Sequence, residues 1–260
     1  MKQFKAVFIT EWLKLRHANL FWITICFFIF IPCMMGFMMY LSQHPEIMDK
    51  MGIMGTKAKF FEDNSWQGYF DILNQSVAAI GLIGFGFVIS WVFGREFTEK
   101  TITDVMVMPV NRALVVMSKF LVAMLWNLLL IIVFFAASIL IGQWMNLPGW
   151  SAQLFNSALL KFAITSLLTL MVTTPVAFIA AAGRGIILPI AFVILVLILS
   201  QFLAMAGFGP YFPWAIPGVF TVSDPAQGLA LVNTSYIILI LTFALGITGT
   251  VLWWRYADQK

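Results

Sequence analysis

The chain has 260 residues, of which 62% are hydrophobic and 10% charged, with a formal net charge of +4. A mean hydropathy of +0.96 is too high for a water-soluble globular domain. The small positive charge needs no nucleic acid to explain it, because basic residues gather at an anionic membrane surface.

The positions of the charges define the elements. Uncharged runs of 29, 23, 41, 22, 39 and 30 residues lie between Arg16 and Glu46, Asp71 and Arg95, Lys119 and Lys161, Lys161 and Arg184, Arg184 and Asp224, and Asp224 and Arg255. A helix needs about 20 apolar residues to cross the hydrocarbon. Six spans are therefore expected, at about 19–41, 71–93, 120–141, 158–182, 186–206 and 234–254. None of the runs alternates as a barrel strand would, so the fold class is an all-α integral membrane protein forming a single transmembrane domain. With the amino terminus inside, eleven Lys and Arg residues lie on the inner side and four outside, and both termini are then cytoplasmic.

Residues 1–18 precede the first span. Phe4, Val7, Phe8, Trp12 and Leu15 recur at helical spacing, with lysines and arginine around the remainder, which predicts a helix lying in the inner interface. Glu11 falls on the apolar side. It either reaches water or pairs with Lys14 or a neighbour, or it faces a protein partner. Cys26 and Cys33 both lie in the first span, where a packing role is expected. Residues 42–70 form an external loop too short for a core of its own.

The second span carries Asn74 and Gln75 near its outer end, then Gly81, Gly84 and Gly86. The glycines mark a close-packing face, within one chain or between two copies. Asn74 and Gln75 either hydrogen-bond to a neighbouring helix or line a substrate path. The fourth span carries Thr165, Thr169 and Thr173 at intervals of four, followed by Pro175. Their hydroxyls either line a polar conduit or return hydrogen bonds to their own carbonyls beside a proline kink. Pro32 and Pro189 are expected to bend other spans. Residues 207–230 are apolar yet broken by Pro210, Pro213, Pro217 and Pro225, which predicts short re-entrant helices in the outer leaflet. Trp253, Trp254, Arg255 and Tyr256 read as an aromatic and basic belt at the inner interface.

Between the second and third spans lies the long polar segment 94–119, GREFTEKTITDVMVMPVNRALVVMSK. One short helix is expected from Arg95 to about Val107, a break at Pro109, and a second helix capped by Asn111. Its charges, Arg95, Glu96, Glu99, Lys100, Asp104 and Arg112, are of both signs on a stiff knob, as suits docking in one register. The chain has no P-loop, no H-E-x-x-H, no nucleophile elbow and no Cys/His set at metal spacing, so neither catalysis nor a bound metal is expected of it.

This organisation resembles the type-2 ABC exporter permeases, and within them the bacitracin and lantibiotic-immunity type. The likeness is carried by Phe93-Gly94-Arg95-Glu96-Phe97, Glu99-Lys100-Thr101, Pro109-Val110, Arg112 and Ser118-Lys119, with Glu11-Trp12 and Lys14 similar to the family's connecting helix. The resemblance implies that segment 94–119 is a coupling helix seated in an ATPase subunit. Its site residues would be Arg95, Glu96, Glu99, Lys100, Thr101, Asp104, Pro109, Arg112 and Glu11. It further implies two ATPase copies carrying ATP and Mg, a second permease copy or related permease, and a place among the lipids of the bacterial plasma membrane. The cargo would be an apolar or amphipathic molecule such as a peptide antibiotic. A gradient-driven transporter or channel is the competing reading, and it wants a mid-span ionisable group that the sequence does not offer.

Overall fold

Helix is the fold that long apolar runs permit, since it satisfies every backbone group within the segment. A computed structural model of the chain describes residues 2–44, 63–102, 107, 110–223 and 231–257, and among these every regular element is helical. In chain order they are α1 (Lys2–Arg16), α2 (Asn19–Gln43), α3 (Trp66–Thr98), α4 (Arg112–Trp144), α5 (Ala152–Thr173), α6 (Pro175–Ala182) and α7 (Ile187–Met205). A 3₁₀ turn at Gly209–Tyr211, α8 (Ile216–Val222) and α9 (Asn233–Tyr256) follow, and Ile102 and Val107 are also helical. Among the described residues six helices are long and apolar enough to cross a membrane, α5 and α6 counting as one span over Ala152–Ala182. The chain is a multi-pass membrane protein.

The helices overrun the apolar runs because polar caps, which hydropathy does not register, set their ends. The Ser65 hydroxyl accepts from the amides of Gln67 and Gly68, Asn111 accepts from Ala113 at 2.9 Å, and Ser151 accepts from Leu154. α3 thus starts at Trp66 rather than Asp71, and the helix expected to be capped by Asn111 is continuous with the third span, as α4 from Arg112. The far end of α3 departs further from expectation. No new helix begins at Arg95; α3 runs on through Thr98 and stops at a Schellman turn. The Thr101 amide donates to the Glu96 carbonyl and the Lys100 amide to the Phe97 carbonyl, with Lys100 left-handed at φ 58°. Asp104 and Pro109, and with them the expected break, lie outside the described residues.

α3 is the central pillar: 72% of its apolar window is buried, against 22–56% for the other spans. It packs on α4, α5, α6, α7 and α8. Its glycines make these approaches within one chain. A Cβ at Gly84 would lie 2.5 Å from the Phe28 ring of α2, and one at Gly94 would lie 2.6 Å from the Gly185 carbonyl oxygen. Gly81 is buried too, beside Val77 and Phe85 of its own helix. Pro175 divides the fourth span where expected, whereas Pro189 sits in the first turn of α7, where its missing amide breaks no ladder. Cys26 and Cys33 are exposed on α2 and so do not pack in the core. Ahead of α9, the 3₁₀ turn and α8 form two short pieces, as the prolines require, with α8 packed on α3 and α5.

Candidate functional site

A cluster of charged residues lies at one end of the bundle, where α1, the last turns of α3, the start of α4, the 183–186 turn and the end of α9 meet, apart from the Lys161–Asp71 pair at 3.4 Å. At its centre is Lys119, which is 0% exposed. The α4 face that carries it repeats Val115, Lys119, Val122 and Trp126 at helical spacing, all buried, so the helix drives the lysine inward with its apolar neighbours.

Lys119 Nζ donates to Glu96 Oε1 at 2.9 Å, to Glu11 Oε2 at 3.0 Å and to the Val92 carbonyl at 3.2 Å. Lys14 Nζ donates to Glu11 Oε1 at 2.7 Å and to Glu96 Oε1 at 3.0 Å. Two lysines and two glutamates thus form a closed, charge-balanced square. Glu11 and Glu96 are 7% and 1% exposed, so neither is presented to a partner on the surface of this chain. Burial alone would raise the Glu11 carboxyl, but Lys119 and Lys14 outweigh it and hold the carboxyl below its ordinary value. Desolvating Glu11, Glu96 and Lys119 is expensive, and the square is tolerable because nearly every donor and acceptor finds a partner and Lys14 stays partly exposed. Glu96 Oε2 is the oxygen left without one.

The square ties four elements together. Glu11 and Lys14 come from α1, Glu96 and Val92 from α3, Lys119 from α4, and Trp254 from α9 lies with its ring 5.9 Å from Lys119 Nζ. Trp254 is 0% exposed and meets Phe97 edge-on, so it belongs to this cluster rather than to a surface belt. Arg112 Nη1 donates to the Trp254 carbonyl at 3.3 Å. Arg95 stacks over Trp91 at 4.5 Å and pairs with Glu99 at 3.1 Å.

Other polar groups of the segment are exposed, although Ser118 is buried. Glu99, Lys100, Asn111 and Arg112 are exposed, and Thr101 is half-buried. The segment therefore divides in two: Glu96 and Lys119 point inward, where Glu11 of α1 meets Lys119, while Glu99, Lys100 and Arg112 are exposed. Sequence reasoning named Glu11 and Glu96 and missed Lys119 as a site residue. The signal was present in the register of Lys119 with Val115, Val122 and Trp126.

The second candidate set does not converge on one feature. The Thr165, Thr169 and Thr173 hydroxyls donate to the carbonyls of Lys161, Thr165 and Leu170 in their own helix. Asn74 is buried and donates to the Phe70 carbonyl. Gln75 is exposed and, with Ser200 and Gln201, lines a pocket between α3, α7 and α8.

Comparison with known proteins supplies the family. The chain is 23% identical over 187 residues to the bacitracin transport permease protein BCRB of Bacillus licheniformis, an alignment covering 70% of this chain and 87% of that one. No solved structure matches it. The model of the ABC-2 family transporter proteins matches residues 7–202, a stretch that takes in most of α1, the buried square, the first four spans and most of the fifth. The chain belongs to the ABC-2 transporter family and is the membrane subunit of an ABC transporter, similar to the bacitracin type.

Proposed function

We propose that this chain is the permease of an ATP-driven exporter, and that segment 94–119 receives the work of a separate ATPase subunit at the inner membrane surface. Family membership supports the general role, since ABC-2 permeases work with an ATPase subunit. The observation that carries the finer reading is the two-sided build of the segment. Its outer tip offers Glu99, Lys100 and Arg112 to a partner, while Glu96 is locked to Lys119 and Lys14 behind it. A push on the tip is thereby passed to α1 and α4 as one body. Two ATPase copies, carrying ATP and Mg, close on nucleotide and move the tips of two paired permeases together. Switching requires that nucleotide bind the two states unequally.

Arg95, Thr101, Asp104 and Pro109 complete the coupling segment, and Glu11 acts from inside it. Both termini lie on the ATPase side of the bacterial plasma membrane. The relative's name supports an amphipathic peptide antibiotic as cargo. Gln75, exposed on α3, is with Asn74, Gly81, Gly84, Thr165, Thr169 and Thr173 a candidate for the substrate path or the dimer interface.

The test is reconstitution of permease and ATPase in liposomes, with bacitracin as the probe cargo. Glu99→Ala and Arg112→Ala are expected to lower bacitracin-stimulated ATP turnover about tenfold, equivalent to ~1.4 kcal/mol of docking energy. The permease should still insert and keep its thermal stability. Unchanged turnover in both variants would overturn the docking assignment.

A further inference from the structure

The seam between α4 and α5 is closed at one end by Phe162, which stacks on Phe134 and lies 4.9 Å from Phe135. Towards the charged end the same seam opens into a pocket of 340 Å³ between α3, α4, α5 and α9. That volume is within the range of small-molecule sites. Met117, Met124, Leu167, Met171 and Phe243 are among the residues around it, and Asn127 lines it as well. Met117, Met124 and Leu167 are 44%, 55% and 52% exposed, so the mouth opens sideways, at the depth of the surrounding bilayer.

Asn127 is the informative residue. It is 1% exposed, and neither its Oδ1 nor its Nδ2 has a partner. Its neighbour Trp126, by contrast, donates to Thr24 at 3.1 Å. Asn127 lies two helical turns beyond Lys119, about 12 Å along α4 at 1.5 Å per residue. At that depth an unpaired amide is costly, and a leucine would serve packing better. An apolar pocket with one amide that can both donate and accept is complementary to a molecule with an apolar chain and one such group of its own. Three methionines at its edge are flexible enough to let such a chain in and close over it.

We propose that this pocket binds a single-chain amphipath dissolved in the bilayer, its hydroxyl or primary amide paired with Asn127 and its chain lying among Met117, Met124 and Met171. The site is separate from the docking tip, and its occupancy requires neither ATPase nor turnover, so it stands or falls apart from the coupling proposal.

The experiment uses the full chain in lipid nanodiscs and a dodecanol carrying a photoreactive diazirine, with labelled residues mapped by mass spectrometry. Adducts are expected on Met117, Met124, Leu167 and Met171, competed by dodecanamide but not by dodecane. Asn127→Leu should reduce this labelling about tenfold, the loss expected for a buried hydrogen-bonding pair. It should leave the chain at least as thermally stable, because it removes an unpaired amide. Met124→Trp, which fills the pocket and keeps Asn127, should abolish labelling as well. Extraction of the purified chain separates two sources of occupant, and either supports the site. A neutral lipid retained by the native chain and absent from Asn127→Leu is a resident ligand, whereas a chain that purifies empty and labels holds an exchangeable one. Labelling equal in native and Asn127→Leu chains, labelling spread evenly over outer residues such as Leu195 and Leu252, or a pocket sealed by a second copy of the chain would each overturn the proposal.

Discussion

Lys119 is the residue on which the charged end turns. Its removal leaves two buried carboxylates with only Lys14 between them, and breaking such a set costs more than forming it gains. Lys119→Met is expected to lower stability by about 3–5 kcal/mol, read by thermal unfolding in detergent. Adding Glu96→Gln to that variant should restore part of the loss, because one uncompensated charge is then gone; two independent losses that simply add would contradict the coupling. Acid tests the same square. A carboxyl held below its ordinary value contributes stability above the unfolded-state value of about 4, and that contribution is lost as pH falls through the folded-state value. Lowering the pH below about 4 should therefore weaken the native chain, and Glu11→Gln should flatten that acid limb in pH-dependent unfolding.

At the scale of the helix, the end of α3 is under two local constraints. Lys100 holds a left-handed conformation that costs a side chain about 1–2 kcal/mol and glycine almost nothing. Lys100→Gly is expected to stabilise the turn by about 1 kcal/mol while removing a charge from the tip. Amide exchange at Thr101, whose N–H closes the turn on Glu96, is the direct readout. Gly94→Ala should act in the opposite sense by about 1–3 kcal/mol, since its Cβ would meet the rigid Gly185 carbonyl. These features mark the limit of what the sequence discloses. Six spans and the broken segment before α9 were legible, because length without charge and proline spacing are local properties. The continuation of α3 past Arg95 was not. The motif Arg95-Glu96 looks like a polar boundary, yet Glu96 finds Lys119 on α4 and Lys14 on α1, and tertiary pairing cancels the local cost of leaving water. Trp254 was misplaced for the same reason: beside Arg255 and Tyr256 it reads as belt, but its ring is claimed by Phe97 and Lys119.

On the scale of the whole molecule, the bundle joins a buried centre to an exposed tip. α3 touches most other elements, while α2, α7 and α9 leave most of their surface for lipid or for a second permease. On the proposed coupling role, force entering at Glu99, Lys100 and Arg112 would pass inward through Glu96 to Lys119 and α1. The most direct measurement is copurification of the tagged permease with its ATPase subunit, comparing the native chain with a Glu99→Lys, Arg112→Glu variant that inserts and folds normally. The account expects the native chain to retain the ATPase and the reversed tip to lose it, with recovery when the opposing charges on the ATPase are reversed in turn. Full retention of the ATPase by the reversed tip would contradict it.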